Sequence, residues 1–151
     1  MSTPTIQWAK VEDTNKIFHL TKRVYNDRLS ANLFAIGEFI KFGYVFVARR
    51  ESDKIAGAIL ALRTREDKLY VSDIVIDKEF RKQGLASKLY KKLLSYAQDR
   101  EVIAFVDRDD DPSYKLHQKL GFYKEKTMNA PYGLKSMKKM YLMKRKPEVE
   151  R

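Results

Sequence analysis

Cysteine is absent from this 151-residue chain, and histidine occurs only twice, as His19 and His117. Without thiols the chain forms no disulfide and has no cysteine nucleophile. Two histidines are too few for a histidine-rich metal site, so we expect no metal. No window contains the roughly 18 apolar residues of a membrane-spanning helix, and the first residues show no leader pattern. We therefore expect a soluble, cytoplasmic protein.

Glycine and proline are also scarce, with six and four residues. They are too scattered to mark a linker between domains, and there is no internal repeat or low-complexity segment. Apolar residues make up 44% of the chain, which is enough for a hydrophobic core. We expect a single domain spanning residues 1–151. A monomer and a homodimer are both compatible with the sequence.

Positive charge is concentrated in the second half of the chain. Residues 1–80 carry 13 Lys and Arg against 11 Asp and Glu, whereas residues 81–151 carry 18 against 9. One interpretation is a highly charged, soluble surface. The other is a polyanionic partner, such as a nucleic acid, a phosphorylated cofactor or an acidic protein.

The apolar pattern predicts strands first and then alternating strands and helices, which indicates an α/β sheet of mixed direction. Gly43 and Gly121 are expected to end two of the helices. The predicted strands are 5–11, 44–50, 54–64, 68–77, 102–108, 122–128 and 135–145, and the predicted helices are 14–29, 30–43, 81–97 and 113–121.

The stretch RKQGLASKLYKKLLSYA, residues 81–97, opens a helix in an unusual way. The start of a helix has unpaired N–H groups and a partial positive charge, so an acidic or hydroxyl residue is normally found there. Here Arg81, Lys82 and Gly84 occupy these positions. The pattern predicts a phosphate-binding turn, in which Gly84 lets the backbone approach the ligand. The alternative is a tight turn before an amphipathic helix, and the two common nucleotide-binding glycine motifs are absent.

Two stretches resemble motifs of the GNAT superfamily of N-acetyltransferases. VSDIVIDKEFRKQGLASKLYKKLL, residues 71–94, is similar to its acetyl-CoA-binding motif, [RQ]-x-x-G-x-[GA]. DDDPSYKLHQKLGF, residues 109–122, is similar to its second motif and follows in the expected order. The resemblance covers residues 5–146. It implies an α/β fold with a mixed, mostly antiparallel central sheet of six to seven strands and about four flanking helices.

In this family the pyrophosphate of acetyl-CoA lies on the backbone amides of the turn, and the pantetheine arm pairs with the preceding strand. The resemblance thus implies that the pyrophosphate of acetyl-CoA is the anion that the helix start lacks. The cofactor-binding residues that it implies are Ile74, Val75, Ile76, Arg81, Lys82, Gln83, Gly84, Leu85, Ala86, Ser87, Asp110, Ser113 and His117.

The resemblance also suggests catalytic residues. His117 stands where the family usually has a tyrosine that protonates the departing thiolate, and an imidazole can donate a proton near neutral pH. Alternatively, His117 packs beside Phe122. Asp110 takes the place of the usual asparagine; its carboxylate either orients His117 or belongs to a solvated turn.

Asp73 is the candidate general base, because it is the only carboxylate inside the strand that should border the site. Regular alternation places its side chain opposite Tyr70 and Ser72, the face that carries the family's bases. A β-bulge would change this alternation. A water chain without a dedicated base is the alternative.

Together these features predict acetyl transfer directly to a primary amine, either a peptide N-terminus, a lysine or a small amine. Acceptor specificity is expected from residues 25–44, with Phe34, Phe39 and Phe42, and from the loop at 129–134. Two other functions stay open: a nucleic-acid-binding module using the lysine-rich residues 134–146, which we do not favour, and a non-catalytic acetyl-CoA sensor.

Overall fold

The computed structural model describes residues 3–25, 32–134 and 139–147. Within these ranges the chain forms seven strands and four α-helices, connected in part by short 3₁₀ turns. The strands are β1 (Thr5–Trp8), β2 (Tyr44–Arg49), β3 (Ile55–Arg63), β4 (Leu69–Ile76), β5 (Val102–Asp107), β6 (Tyr123–Met128) and β7 (Met140–Arg145); the helices are α1 (Thr14–Tyr25), α2 (Leu33–Phe42), α3 (Leu85–Leu94) and α4 (Asp111–Lys119).

All seven strands belong to one sheet, in the order β1-β2-β3-β4-β5-β7-β6. β4 and β5 run parallel. Antiparallel ladders join β1 to β2, β2 to β3, β5 to β7 and β7 to β6. The prediction of a mixed, mostly antiparallel α/β sheet with about four helices is therefore confirmed.

Several helices differ in length from their predictions. α3 begins at Leu85, because the basic residues before it form a turn, and it ends at Leu94 instead of residue 97. α2 begins after Asn32, whose side chain accepts a hydrogen bond from the N–H of Ala35 at 2.7 Å. The predicted continuation of α1 falls partly on residues 26–31, and the last predicted strand partly on residues 135–138; both segments lie outside the described residues.

The described residues fall into two compact units. The first contains residues up to 62 together with 72–96, and the second contains 63–71 together with residues from 97 onward. β4 contributes to both units, since its first three residues belong to the second unit and its remaining residues to the first.

Two clusters of buried apolar residues belong to the core of the first unit. Adjacent residues Val47 and Ala48 of β2 belong to different clusters, so the clusters lie on opposite faces of the sheet. α1 and α2 contribute to one cluster, whereas Leu85 anchors the start of α3 in the other. The first cluster comprises Ile17, Leu20, Ile36, Val45, Val47, Ile55, Ala58, Leu60 and Val75; the second comprises Ala48, Ala56, Phe80 and Leu85.

A buried ion pair fixes the segment that leads into α1. The Arg49 guanidinium on β2 donates to both carboxylate oxygens of Asp13, over 2.6 and 3.1 Å. Asp13 also accepts a hydrogen bond from the backbone N–H of Lys10 at 2.8 Å. Removing one partner of such a pair leaves a buried charge, which costs about 3 to 5 kcal/mol. The start of α1 is thus held against β2.

In the second unit, every second side chain of β5 is buried, as in a strand with one face on the core. Val102, Ala104 and Val106 are buried, and Met143 of β7 is paired with Ala104. β6 stands last in the strand order and is exposed along most of its length. Its ladder with β7 shifts register between Lys124 and Lys126. This outer strand is therefore irregular and lysine-rich.

Candidate cofactor and active site

The segment between β4 and α3 has an unusual backbone. After a 3₁₀ turn at Lys78–Phe80, Lys82 and Gly84 both adopt positive φ angles, 63° and 77°. Glycine adopts this conformation readily, whereas a lysine does so at a cost in energy. No atom lies within 4 Å of the position that a Cβ of Gly84 would take. The turn therefore leaves open space directly before the helix.

The backbone N–H groups of residues 82–87 line this turn. None of them donates a hydrogen bond to another residue in the part of the chain that the structure describes. Gly84 is the N-cap of α3 and offers no side chain, and the first turn of α3 has no acidic residue. N–H groups at a helix start favour an anion, so this turn has the geometry of an anion-binding site.

Apolar and polar contacts hold the two ends of the turn. Phe80 and Leu85 are buried in one cluster, whereas residues 81–84 between them are exposed. The Nε of Arg81 donates a long hydrogen bond, 3.4 Å, to the carbonyl oxygen of Ile76 at the end of β4. Ala86 and Ser87 are half-buried. The exposed turn is thus anchored at both ends by buried residues.

β4 continues beyond its pairing with β5. The ladder joins Leu69 to Val102 and ends at Val71 and Ala104. β4 itself runs on to Ile76.

The regular alternation of β4 shifts by one residue along its length. The N–H of Leu69 donates to the carbonyl of Glu101 at 3.0 Å, on the β5 side. In a regular strand every second N–H points to the same side, so the N–H of Asp77 would face β5 as well. It donates instead to the carbonyl of Ala56 in β3, at 2.8 Å. The strand therefore contains an extra residue, as in a β-bulge.

Asp73 lies in this shifted part of β4. The Ser72 hydroxyl donates to its carboxylate at 2.9 Å, although neighbouring side chains of a regular strand point to opposite faces. Burial raises the pKa of Asp73, and the hydrogen bond from Ser72 partly opposes this effect. Regular alternation would place the Asp73 side chain on the face opposite Ser72. Because the alternation shifts in β4, this objection to Asp73 as the base no longer holds. Its role stays a prediction.

His117 is buried on α4 in the second unit, with 2% of its surface exposed. Its Nδ1 lies 2.7 Å from the carbonyl oxygen of Ser113 and, since a carbonyl only accepts, Nδ1 carries the hydrogen. The ring meets Phe122 edge-on, with centroids 5.1 Å apart. Burial lowers the pKa of His117, while the Ser113 carbonyl and the charge of Asp110 oppose the shift. The neutral ring is therefore favoured, with Nε2 as an acceptor.

Asp110 caps α4. Its carboxylate accepts a hydrogen bond from the backbone N–H of Ser113 at 3.1 Å. The helix begins at Asp111, two residues before the predicted start at Ser113, because Pro112 is tolerated in a first helical turn. The cofactor-binding roles expected for Asp110 and Ser113 stay predictions.

The predicted site residues are thus distributed over the two units. The first unit contains the strand residues 74–76, Asp73 and the turn at 81–87. The second unit contains Asp110, Ser113 and His117 on and before α4.

A sequence model of the acetyltransferase (GNAT) family matches residues 6–122, which include both the turn and α4. The chain belongs to the GNAT family. No curated protein matches it in sequence.

Solved structures share the GNAT fold over nearly the whole chain at low sequence identity. The ribosomal-protein-S18-alanine N-acetyltransferase from Escherichia coli is 14% identical, with 97% of this chain and 96% of that chain covered and a TM-score of 0.78. Ard1 from Thermoplasma volcanium is 17% identical, with 98% and 100% covered and a TM-score of 0.81. The structure of yncA from Salmonella typhimurium was determined with its cofactor acetyl-CoA. It is 17% identical, with 99% of this chain and 97% of that chain covered and a TM-score of 0.77.

An aromatic cluster in the second unit escaped the sequence analysis of this GNAT protein. The hydroxyls of Tyr70 and Tyr132 lie 2.7 Å apart. The Phe105 ring meets Tyr132 at 5.5 Å and Tyr70 at 6.3 Å between centroids. Tyr132 has a positive φ of 57° and is 65% exposed. The only sequence signal was a tyrosine in the loop already expected to contact the acceptor.

The three phenylalanines of α2 have different environments. Phe39 packs against the buried core. Phe34 and Phe42 are 79% and 81% exposed and line an apolar groove of about 470 Å³ with Leu33 and Gly37. Two of the three aromatics expected near the acceptor are therefore on the surface.

Among residues 3–25, 32–134 and 139–147, no cluster of three or more His, Asp or Glu side chains is arranged to hold a metal ion. No helix in the described part of this GNAT protein has the length and hydropathy to cross a membrane.

Proposed function

We propose that this protein is a cytoplasmic, acetyl-CoA-dependent N-acetyltransferase that moves an acetyl group directly to a primary amine. The observation that carries the proposal is the turn before α3. Its backbone N–H groups at residues 82–87 have no acceptor among the described residues, and no acidic side chain occupies the helix start. A pyrophosphate supplies both the acceptors and the negative charge that this turn lacks.

The residues of the turn fit such a group. The open space at Gly84 lets phosphate oxygens approach the backbone, where a side chain would stand in the way. Lys82 and Gly84 have positive φ angles, a conformation that also occurs in the anion-binding nests formed by successive backbone N–H groups. The solved yncA structure, which contains acetyl-CoA, supports the same ligand for this member of the family.

The β4 backbone at residues 74–76 would hold the pantetheine arm, since β4 continues after its ladder with β5 has ended. Bound acetyl-CoA supplies an activated acetyl thioester. The chain has no cysteine, which agrees with direct transfer and no acyl-enzyme on a thiol.

Acetyl transfer also requires two proton transfers, one from the attacking amine and one to the departing thiolate. The attacking amine has to be neutral, which at pH 7 costs roughly 4 to 5 kcal/mol for lysine and about 1 kcal/mol for an α-amine. Asp73 accepts the amine proton, directly or through water, and its raised pKa suits this role. His117 would protonate the departing thiolate from Nε2 after taking up a proton from solvent there, because its neutral ring carries hydrogen on Nδ1.

A primary amine on a peptide is the acceptor that we would test first. The α-amine is the easier amine to deprotonate, and the name of the Escherichia coli relative specifies a protein alanine. The Tyr70 and Tyr132 hydroxyls offer hydrogen-bonding groups beside an aromatic surface. The basic surface disfavours polyamines through repulsion.

The test begins with thermal melts with and without saturating acetyl-CoA, with ATP as the control anion. At 100 times its Kd a ligand adds about 2.7 kcal/mol, which should raise the midpoint by roughly 5 to 10 °C. A shift with acetyl-CoA alone, followed by thiol release with an amine or peptide, supports the enzyme. Equal shifts with both ligands indicate a general anion site, and binding without turnover on any amine indicates a sensor. Absence of any shift would refute the proposal.

A further inference from the structure

A tyrosine hydroxyl reaches the backbone of β4 at its shifted part. Tyr25, the last residue of α1, donates from its hydroxyl to the carbonyl oxygen of Ile74 at 2.8 Å. Both residues belong to the first unit, and the Tyr25 side chain is half-buried. A side chain therefore contacts this carbonyl.

The direction of the Ile74 carbonyl follows from the shifted alternation. Since the N–H of Asp77 points to β3, the backbone groups of Ile76 and Ile74 point to the opposite edge of β4. The contact from the Arg81 Nε to the Ile76 carbonyl agrees with this direction. The ladder with β5 ends at Val71, so that ladder does not occupy these carbonyls.

A carbonyl oxygen accepts two hydrogen bonds. Tyr25 occupies one of these positions at Ile74 and leaves the other for an incoming amide N–H. Pantetheine carries two amides along an extended arm, so its N–H groups match a row of strand carbonyls. By fixing the direction of one carbonyl, the tyrosine pre-arranges the edge before a ligand arrives.

We propose that Tyr25 is a positioning residue for the pantetheine arm of the cofactor. The inference rests on the proposed function, because it concerns the edge at residues 74–76 where that arm would lie. Tyr25 itself contacts the strand backbone at Ile74. Its hydroxyl should therefore affect cofactor affinity more than the chemical step.

The test compares Tyr25→Phe with the control Tyr96→Phe. Tyr96 lies in the same unit, its ring stacks on Phe46 at 5.5 Å, and no hydrogen bond of its hydroxyl is found among the described residues. Calorimetric titration would measure the Kd for CoA and for adenosine 3′-phosphate 5′-diphosphate, which is CoA without its pantetheine arm. Thermal melts of the unliganded variants would measure stability.

Tyr25→Phe should weaken CoA binding about tenfold, while the arm-less nucleotide binds as it does to the wild type. The control should bind both ligands normally. Equal CoA affinity of Tyr25→Phe and wild type overturns the inference and leaves the proposed function intact. Equal loss for both ligands also overturns it, because the defect is then not specific to the arm. A wild-type protein that binds no CoA refutes the proposed function, and this inference with it.

Discussion

α3 and α4 begin in opposite ways. α4 is completed from within the chain: the Asp110 carboxylate accepts the N–H of Ser113, and Asp111 adds a second acidic group. α3 has neither a cap nor an acid, and its first N–H groups have no acceptor among the described residues. Both helices face the same electrostatic requirement at their starts. α4 is completed by its own side chains, whereas the proposed function assigns this role at α3 to the ligand.

Giving α3 an acid of its own should have the largest effect. Gly84→Asp places a carboxylate where the pyrophosphate would lie, and a side chain at a φ of 77° adds strain. We expect acetyl-CoA affinity to fall about a hundredfold or more in calorimetric titration, because charge repulsion adds to the lost space.

Gly84→Asn separates charge from shape at the same position. Asparagine has nearly the same size, is neutral and tolerates positive φ. Its affinity should lie between those of wild type and Gly84→Asp. If the two variants bind equally, repulsion by the acid contributes nothing, and the contrast between the two helix starts loses its electrostatic basis.

Removing Asp73, the candidate base on β4, should have the next largest effect. Asp73→Asn should lower kcat/KM about a hundredfold while acetyl-CoA affinity stays the same. The folded pKa of Asp73 lies above that of the unfolded chain, so the folded state loses stability as pH rises through that window. The variant should therefore melt at a slightly higher temperature at neutral pH. Full activity with an unchanged pH profile would exclude Asp73 as the base.

Removing the cap of α4 should cost stability more than binding. Asp110→Ala should lower stability by about 1 kcal/mol, or roughly 2 to 4 °C in the melting midpoint. Asp110→Asn keeps a capping oxygen and should melt close to the wild type. If both variants instead lose acetyl-CoA affinity to the same extent, Asp110 binds the cofactor. The start of α4 would then also contact the ligand, in addition to its own capping side chain.

The smallest effect is expected in the pH dependence of stability. Burial lowers the pKa of His117 in the folded state, so below about pH 6.5 the unfolded chain binds more protons. The free energy of unfolding that His117 contributes is fully present above this pH, and it declines as the pH falls toward the pKa of His117 in the folded state. His117→Asn should remove this acid-side decline in melts between about pH 8 and pH 5. Parallel curves for the two proteins would mean that His117 does not titrate in this range.

The elements of the fold were predictable because their apolar residues repeat with clear periods. In β5 every second residue is buried, namely Val102, Ala104 and Val106, and the residues between them are half-buried. In α3 the helical period is seen in Leu85, Leu89 and Leu93. The turn at residues 81–84 was recognisable from charge and glycine alone.

Other features depend on tertiary structure or on local strain. The positive φ of Lys82 has no local signal, because lysine rarely adopts it. Tyr70 and Tyr132 are 62 residues apart in sequence, and no periodicity brings their hydroxyls together. The start of α4 was predicted at Ser113, two residues too late, although Pro112 is compatible with a first helical turn.

The irregular outer strand β6 also bears on how this protein behaves at high concentration. An unpaired strand edge is a template on which further chains can add. Lys124 and Lys126 flank the register shift in β6, and their charges and the broken ladder make stacking of another strand unfavourable. We therefore expect the same lysines that raise the positive charge of the second half also to act against fibril growth, independently of any phosphate ligand.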